Sequence, residues 1–187
     1  MIKYESSFPK HRFLQYLSMS RNVLFHGSNN KEINEFQPRR QTLFNGQYVE
    51  AVFSTSDGIW PIFYAVFDRS KLIGNFRNGC IESNNSNRFY FFSLTEETLN
   101  NDPWTDGIVY ILPRESFYKV GKGLITFDEW ICEEPIKPIT RLQVATGDFP
   151  FYNKVSIHRS RESLIKTWLF YKFRTVFVSK SRKTGNS

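Results

Sequence analysis

The sequence predicts a mixed α+β fold in a single domain of 187 residues, and three observations carry that expectation. Aromatic residues make up 17% of the chain, with 19 phenylalanines, and rings suit the pleated, half-buried faces of sheets. About six or seven short apolar stretches, broken by Gly, Pro and Asn, read as strands, and about three segments carry helical periodicity. Those helical segments do not alternate regularly with the strands. No Gly-rich turn joins a strand to a helix, which disfavours a doubly wound nucleotide fold.

In chain order, residues 8–19 place Phe13, Leu14, Leu17 and Met19 at helical intervals and predict a short amphipathic helix. Arg21 to His26 reads as a first strand that ends in the turn cluster Gly27-Ser28-Asn29-Asn30. Lys31 to Glu50 is polar and irregular, and predicts a long loop of the kind that often carries function. Ala51 to Thr55 is a short apolar strand. Ser56 or Asp57 can cap the helix that follows through Ile62, Phe63, Ala65 and Val66, with Pro61 tolerated near its first turn. Asn75–Asn87, rich in Asn, Gly and Ser, predicts a loop or irregular edge. Arg88 to Leu94 is too apolar on both faces to be an edge strand, and Thr95-Glu96-Glu97 suggests a single helical turn. Strands are expected at 108–112, 117–120, 129–132 and 139–144, with Pro135 and Pro138 forbidding an unbroken run between the last two. Ser160 to Lys172 predicts a helix with Leu164, Trp168 and Tyr171 on one buried face. Val176 to Val178 predicts a closing strand, and a short basic tail follows at about 180–187.

Composition narrows the function classes. No apolar run approaches the roughly 18–20 residues a membrane span needs, and the N-terminus lacks the apolar region of a secretory signal, so no membrane partner is expected. Cys80 and Cys132 form no close-spaced metal or redox motif, which fits reduced thiols in a cytoplasmic protein. The net charge of +7 points to an anionic partner. Within 154–183 the only acid is Glu162, against Lys154, Arg159, Arg161, Lys166, Lys172, Arg174, Lys180, Arg182 and Lys183. The spacing of Trp168, Tyr171 and Phe173 in that region suits a core stripe better than a nucleic-acid face. His11, His26 and His158 lack metal-ligand spacing, so no metal is expected.

Three pieces carry candidate chemistry. In His26-Gly27-Ser28, a neutral imidazole at a strand end can donate to a ribose hydroxyl while its other nitrogen is held by the protein. Gly27 lacks a Cβ, so a flat ring can approach its backbone, and Ser28 adds a hydroxyl. In Val52-Phe53-Ser54-Thr55 and the helix beyond it, Phe53 is followed eleven residues later by Tyr64. Phe63 is the neighbouring alternative, because adjacent helical residues diverge by about 100°. The third piece is Asp128-Glu129-Trp130-Ile131, with an acid at a strand start. Taken singly, these pieces also fit an ordinary turn, a core-packing helix and a solvated edge acid.

In this order and spacing the pieces resemble the nicotinamide-dinucleotide site of ADP-ribosyltransferases of the diphtheria-toxin and poly(ADP-ribose) polymerase type. The resemblance spans roughly residues 22–145 and is specific at about ten positions. It implies a split β-sheet core, two small antiparallel-rich sheets around a cleft, with a few flanking helices. It also implies NAD as co-substrate and mono-ADP-ribosyl transfer to a protein or nucleic-acid acceptor. Glu129 matches the catalytic glutamate, His26 the ribose-binding histidine, and Tyr64 the tyrosine that stacks on nicotinamide. Gly27, Ser28 and Phe53 complete the nicotinamide pocket, and Arg39 or Arg40 could reach the pyrophosphate. Val52 stands where the polymerase branch has its first tyrosine, so a catalytically degenerate binding module of the same fold is the alternative. No Arg-Ser-Glu pattern of the cholera-toxin branch is present. The acid at Glu129 disfavours RNA 2′-phosphotransfer, where that position is arginine.

Overall fold

The computed structural model describes residues 4–5, 7–43, 46–83, 87–121 and 125–181; the expected tail lies outside them from Arg182 onward. Helix α1 (Lys10–Ser20) buries Leu14 and Leu17 and leads into β1 (Val23–Ser28). Strands β2 (Arg39–Thr42) and β3 (Tyr48–Ser54) form an antiparallel pair, followed by helix α2 (Trp60–Val66). Next come β4 (Phe76–Ser83), β5 (Arg88–Leu94), helix α3 (Glu96–Asn100) and β6 (Gly107–Pro113). The chain continues through β7 (Tyr118–Lys119), β8 (Ile125–Phe127), β9 (Trp130–Cys132) and β10 (Thr140–Val144). It ends in β11 (Ser156–Ile157) and helix α4 (Leu164–Ser181).

The fold is mixed α+β with three small sheets, ordered β1-β6-β10, β11-β5-β4-β8 and β2-β3-β9-β7. All pairings within them are antiparallel except β11 with β5. An isolated bridge, Phe25 with Thr55, links β1 of the first sheet to the residue that follows β3 of the third. β6 is apolar at every turn of the pleat because both its faces are covered. Val109 and Ile111 join the core around Phe63, while Ile108, Tyr110 and Leu112 pack with Leu24, Phe36 and Val52. The phenylalanines fill the larger core: Phe63 stacks on Phe67 with centroids 5.4 Å apart, and Phe92 meets Phe149 edge-on at 4.9 Å.

Several expectations change. The loop over 31–50 contains β2, which is exposed at every position and has no apolar alternation to read. The segment 75–87 contains β4, an inner strand whose Gly79 is required: a Cβ there would lie 2.5 Å from the rings of Phe91 and Phe127. β8 also has no expected counterpart. The strand expected at 176–178 is instead the continuation of α4, since extending an existing helix costs less than nucleating a new pairing. Within α4 only Tyr171 of the expected stripe is buried; Leu164 and Trp168 are 49% and 43% exposed.

Candidate functional site

The site is built where β1 parts from β3. Phe25 exchanges both backbone hydrogen bonds with Thr55, at 2.8 and 3.0 Å. That bridge is isolated, so the two strands diverge one step later. Strand alternation aims the N–H and C=O of Gly27 to the same side as those of Phe25, into the gap that opens. His26 spans the gap with its side chain, its Nδ1 donating to the Phe53 carbonyl at 2.7 Å. The Phe36 ring lies against the imidazole, 4.7 Å between centroids.

The gap opens into a cavity of about 830 Å³. Every residue that the resemblance places at the site lines it: His26, Gly27, Ser28, Arg39, Arg40, Phe53, Tyr64 and Glu129. These residues come from β1, β2, β3, α2 and the turn before β9. Of the two helical candidates, Tyr64 faces the cavity and Phe63 is fully buried in the core. The chemistry of Ser28 is partly committed, its Oγ accepting from the Asn30 N–H at 3.1 Å. Phe53 packs its ring against Ala51, Val120 and Ile131 while its carbonyl holds His26.

Electrostatics sharpen several roles. Burial lowers the His26 pKa from its ordinary 6.5; the Phe53 carbonyl opposes this, and Arg69 and Arg39 add to the lowering. The ring is therefore neutral at pH 7, and its Nδ1 proton is fixed by a carbonyl that can only accept. Nε2 is left as an acceptor, so the donor role expected for a hydroxyl partner is reversed. Burial raises the Tyr64 pKa, with Arg69 and a hydrogen bond to Asn78 pulling it down and Glu129 adding to the rise. Arg39 and Arg40 project to opposite sides of β2. Arg39 acts on His26, whereas the Arg40 guanidinium stacks over Tyr48 at 4.7 Å.

Gly27 also has a packing reason that the sequence did not show. A Cβ would sit 1.8 Å from the Pro61 carbonyl oxygen and 3.0 Å from the Ala65 nitrogen, so helix α2 fills the space a side chain would take. Gly27 meets the cavity with its main chain alone. Arg69 is a cavity residue that the sequence did not mark. Its guanidinium lies 5.3 Å above Tyr64 and 5.3 Å above Phe76. An arginine five residues beyond an aromatic helix position carries no motif; only the turn after α2 folds it back over the ring.

Behind Glu129 lies a buried polar network that also escaped the sequence reading. Asp128 is fully buried and accepts from Thr55 Oγ1 at 2.9 Å, Ser56 Oγ at 2.9 Å and Trp130 Nε1 at 3.0 Å. Arg88 reaches both Asp128, at 3.3 Å, and Asp57, at 3.2 Å. Burial works against the Arg88 charge, but Asp128 and Asp57 outweigh it and hold its pKa above the ordinary value. Asp57 in turn accepts from the N–H groups of Ile59 and Trp60 at 2.8 and 2.6 Å, which caps the entry to α2. Glu129 is thus flanked by a residue locked from four directions, and its own carbonyl accepts from the Val120 N–H at 2.9 Å.

Cys80 and Cys132 are both buried, and burial pushes the Cys80 thiol up so that it stays protonated. Among the described residues no group of His, Cys, Asp and Glu could hold a metal ion, and no helix is long and apolar enough to cross a membrane. Comparison with protein-family models, with curated proteins and with solved structures finds no match to this chain.

Proposed function

We propose that the cavity binds NAD and that the protein is a mono-ADP-ribosyltransferase acting on a protein or nucleic-acid acceptor. The observation supporting this is the convergence of His26, Gly27, Tyr64, Arg39 and Glu129 on one cavity from separate parts of the chain. Its volume lies within the range of about 300–1,000 Å³ usual for small-molecule sites. The donor set suits the ligand. The Gly27 amide and carbonyl complement a carboxamide, the Tyr64 ring offers a flat apolar face, and Arg39 and Arg69 supply cations for a pyrophosphate.

NAD brings a glycosidic bond to a cationic pyridinium, which would leave with the bonding pair as neutral nicotinamide. The protein positions and stabilises. Tyr64 holds the leaving ring, and His26 Nε2 accepts the proton of a ribose hydroxyl hydrogen bond. The Glu129 carboxylate, hydrogen-bonded to the 2′-hydroxyl, faces the positive charge that grows on the ribose. The acceptor forms its bond to the ribose C1′ and releases a proton, which completes the balance.

The test is labelled NAD incubated with the protein and a cell lysate, comparing wild type with Glu129→Gln. Glutamine keeps the shape and removes the charge, so transfer falls by about a hundredfold or more. Calorimetric binding of NAD stays within a few-fold. Equal labelling by both proteins removes Glu129 from the chemistry, and no heat with millimolar NAD overturns the ligand assignment. A second reading, a binding module without turnover, is favoured by one feature: Val52, at the position of the missing tyrosine, is packed in the core. NAD binding without labelling by either protein identifies that case.

A further inference from the structure

Among the described side chains of helix α4, the buried ones lie along one side. Thr167 is fully buried and receives the Arg77 guanidinium at 2.5 Å, and the Tyr171 hydroxyl donates to the Lys154 carbonyl at 2.9 Å. At about 100° per residue, Ile165, Leu169 and Phe173 line up on the side turned away. They are 67%, 58% and 68% exposed. Lys166 and Lys172 are exposed and border this stripe on its two sides. Residues 164–181 contain no Asp or Glu. The neighbouring acid, Glu162, is occupied by Arg174 through two hydrogen bonds of 2.7 Å, which hold its pKa down to about 2.

We propose that this outer face of α4 docks on anionic lipid bilayers, with Ile165, Leu169 and Phe173 entering the acyl boundary and Lys166 and Lys172 contacting the headgroups. An apolar stripe bordered by lysines is what binds an interfacial helix to such a surface. The helix lies in the membrane plane and does not cross it. A second copy of the chain fits the face less well, because a two-fold contact would bring both pairs of lysines together. A single-stranded nucleic acid stacks its bases on aromatic faces and leaves Ile165 and Leu169 without a partner.

Flotation of the full chain with phosphatidylcholine vesicles, with and without one-third phosphatidylserine, tests the proposal. The protein floats with the anionic vesicles, stays at the bottom with the neutral ones, and is released by salt. The triple variant Ile165→Ser, Leu169→Ser, Phe173→Ser loses flotation while its melting temperature is retained, since all three side chains are exposed. Lys166→Gln with Lys172→Gln weakens binding to the anionic vesicles by about thirtyfold. Absence of flotation, or equal flotation of the triple variant, overturns the proposal. A dimer abolished by the triple variant, without lipid binding, assigns the face to a second copy. Binding of single-stranded RNA lost with the two lysines, without flotation, assigns it to nucleic acid; either result also overturns the lipid assignment.

Discussion

His26 illustrates how one residue is set by groups far from it in sequence. Phe53 fixes its tautomer, Phe36 covers its ring, and Arg39 and Arg69 act on its charge from β2 and from the turn after α2. The imidazole therefore titrates below 6.5. Removing either arginine relieves part of the cause, so Arg69→Gln and Arg39→Gln each raise the His26 pKa toward its ordinary value. Long-range proton–nitrogen correlation spectra across a pH series measure this, and they also show which nitrogen keeps the proton. Nε2 accepts only while the ring is neutral. Ligand affinity is thus held at neutral pH and lost as pH falls through the lowered pKa, and in the arginine variants that loss begins at higher pH. An unchanged His26 titration in both variants would place the guanidiniums outside the site.

Among the elements, α2 depends most on sequence chosen elsewhere. It rides directly over two strands: a Cβ on Gly27 of β1 would meet the Pro61 oxygen at 1.8 Å, and one on Gly107 of β6 would meet the Ala65 oxygen at 2.0 Å. Both obstacles are backbone and cannot rotate away. This close seat is what carries Tyr64 to the cavity wall while Phe63 enters the core. Gly27→Ala therefore lifts α2 from the sheet and costs about 3 kcal/mol in urea unfolding. Gly147→Ala, where nothing lies within 4 Å of the added methyl, stays within about 0.5 kcal/mol of wild type. Equal stability of the two variants would mean that the helix can shift without cost.

At the scale of the whole molecule, Arg88 of β5 ties its own sheet to helix α1, to the entry of α2 and to the turn before β9. Its guanidinium reaches Gln15 on α1, Ser56 and Asp57 before α2, Glu82 on β4, and Asp128 before β9. Asp57 also takes the Tyr90 hydroxyl at 2.6 Å. Both aspartates are fully buried, so removing the cation strands two charges away from water. Arg88→Gln lowers the unfolding free energy by about 3–5 kcal/mol. Adding Asp57→Asn to that variant recovers part of the loss, which a double-mutant cycle in urea measures. A loss below about 1 kcal/mol would show that the hydroxyl and amide donors alone satisfy the two carboxylates.

The sequence by itself determined the α+β class, the strands and helices with strong local periodicity, and the residue types that gather at the cavity. β1, β5, β6, α1 and α2 announce themselves because their apolar patterns are complete within about ten residues. His26-Gly27-Ser28, Tyr64 and Glu129 stand out because unusual chemistry sits next to recognisable strand and helix boundaries. Tertiary structure decided the rest. β2 and β4 are strands only because a neighbour supplies their hydrogen bonds, and polar or glycine-rich stretches carry no local trace of that pairing. The choice between Phe63 and Tyr64, the separation of Arg39 from Arg40, the recruitment of Arg69 and the acceptor state of His26 all depend on which remote group lies within a few ångströms. The α4 stripe makes the same point in reverse. The spacing of Leu164, Trp168 and Tyr171 looks like a core face, yet of the three only Tyr171 is buried, because among the described residues the body meets the helix on its Thr167–Tyr171 side.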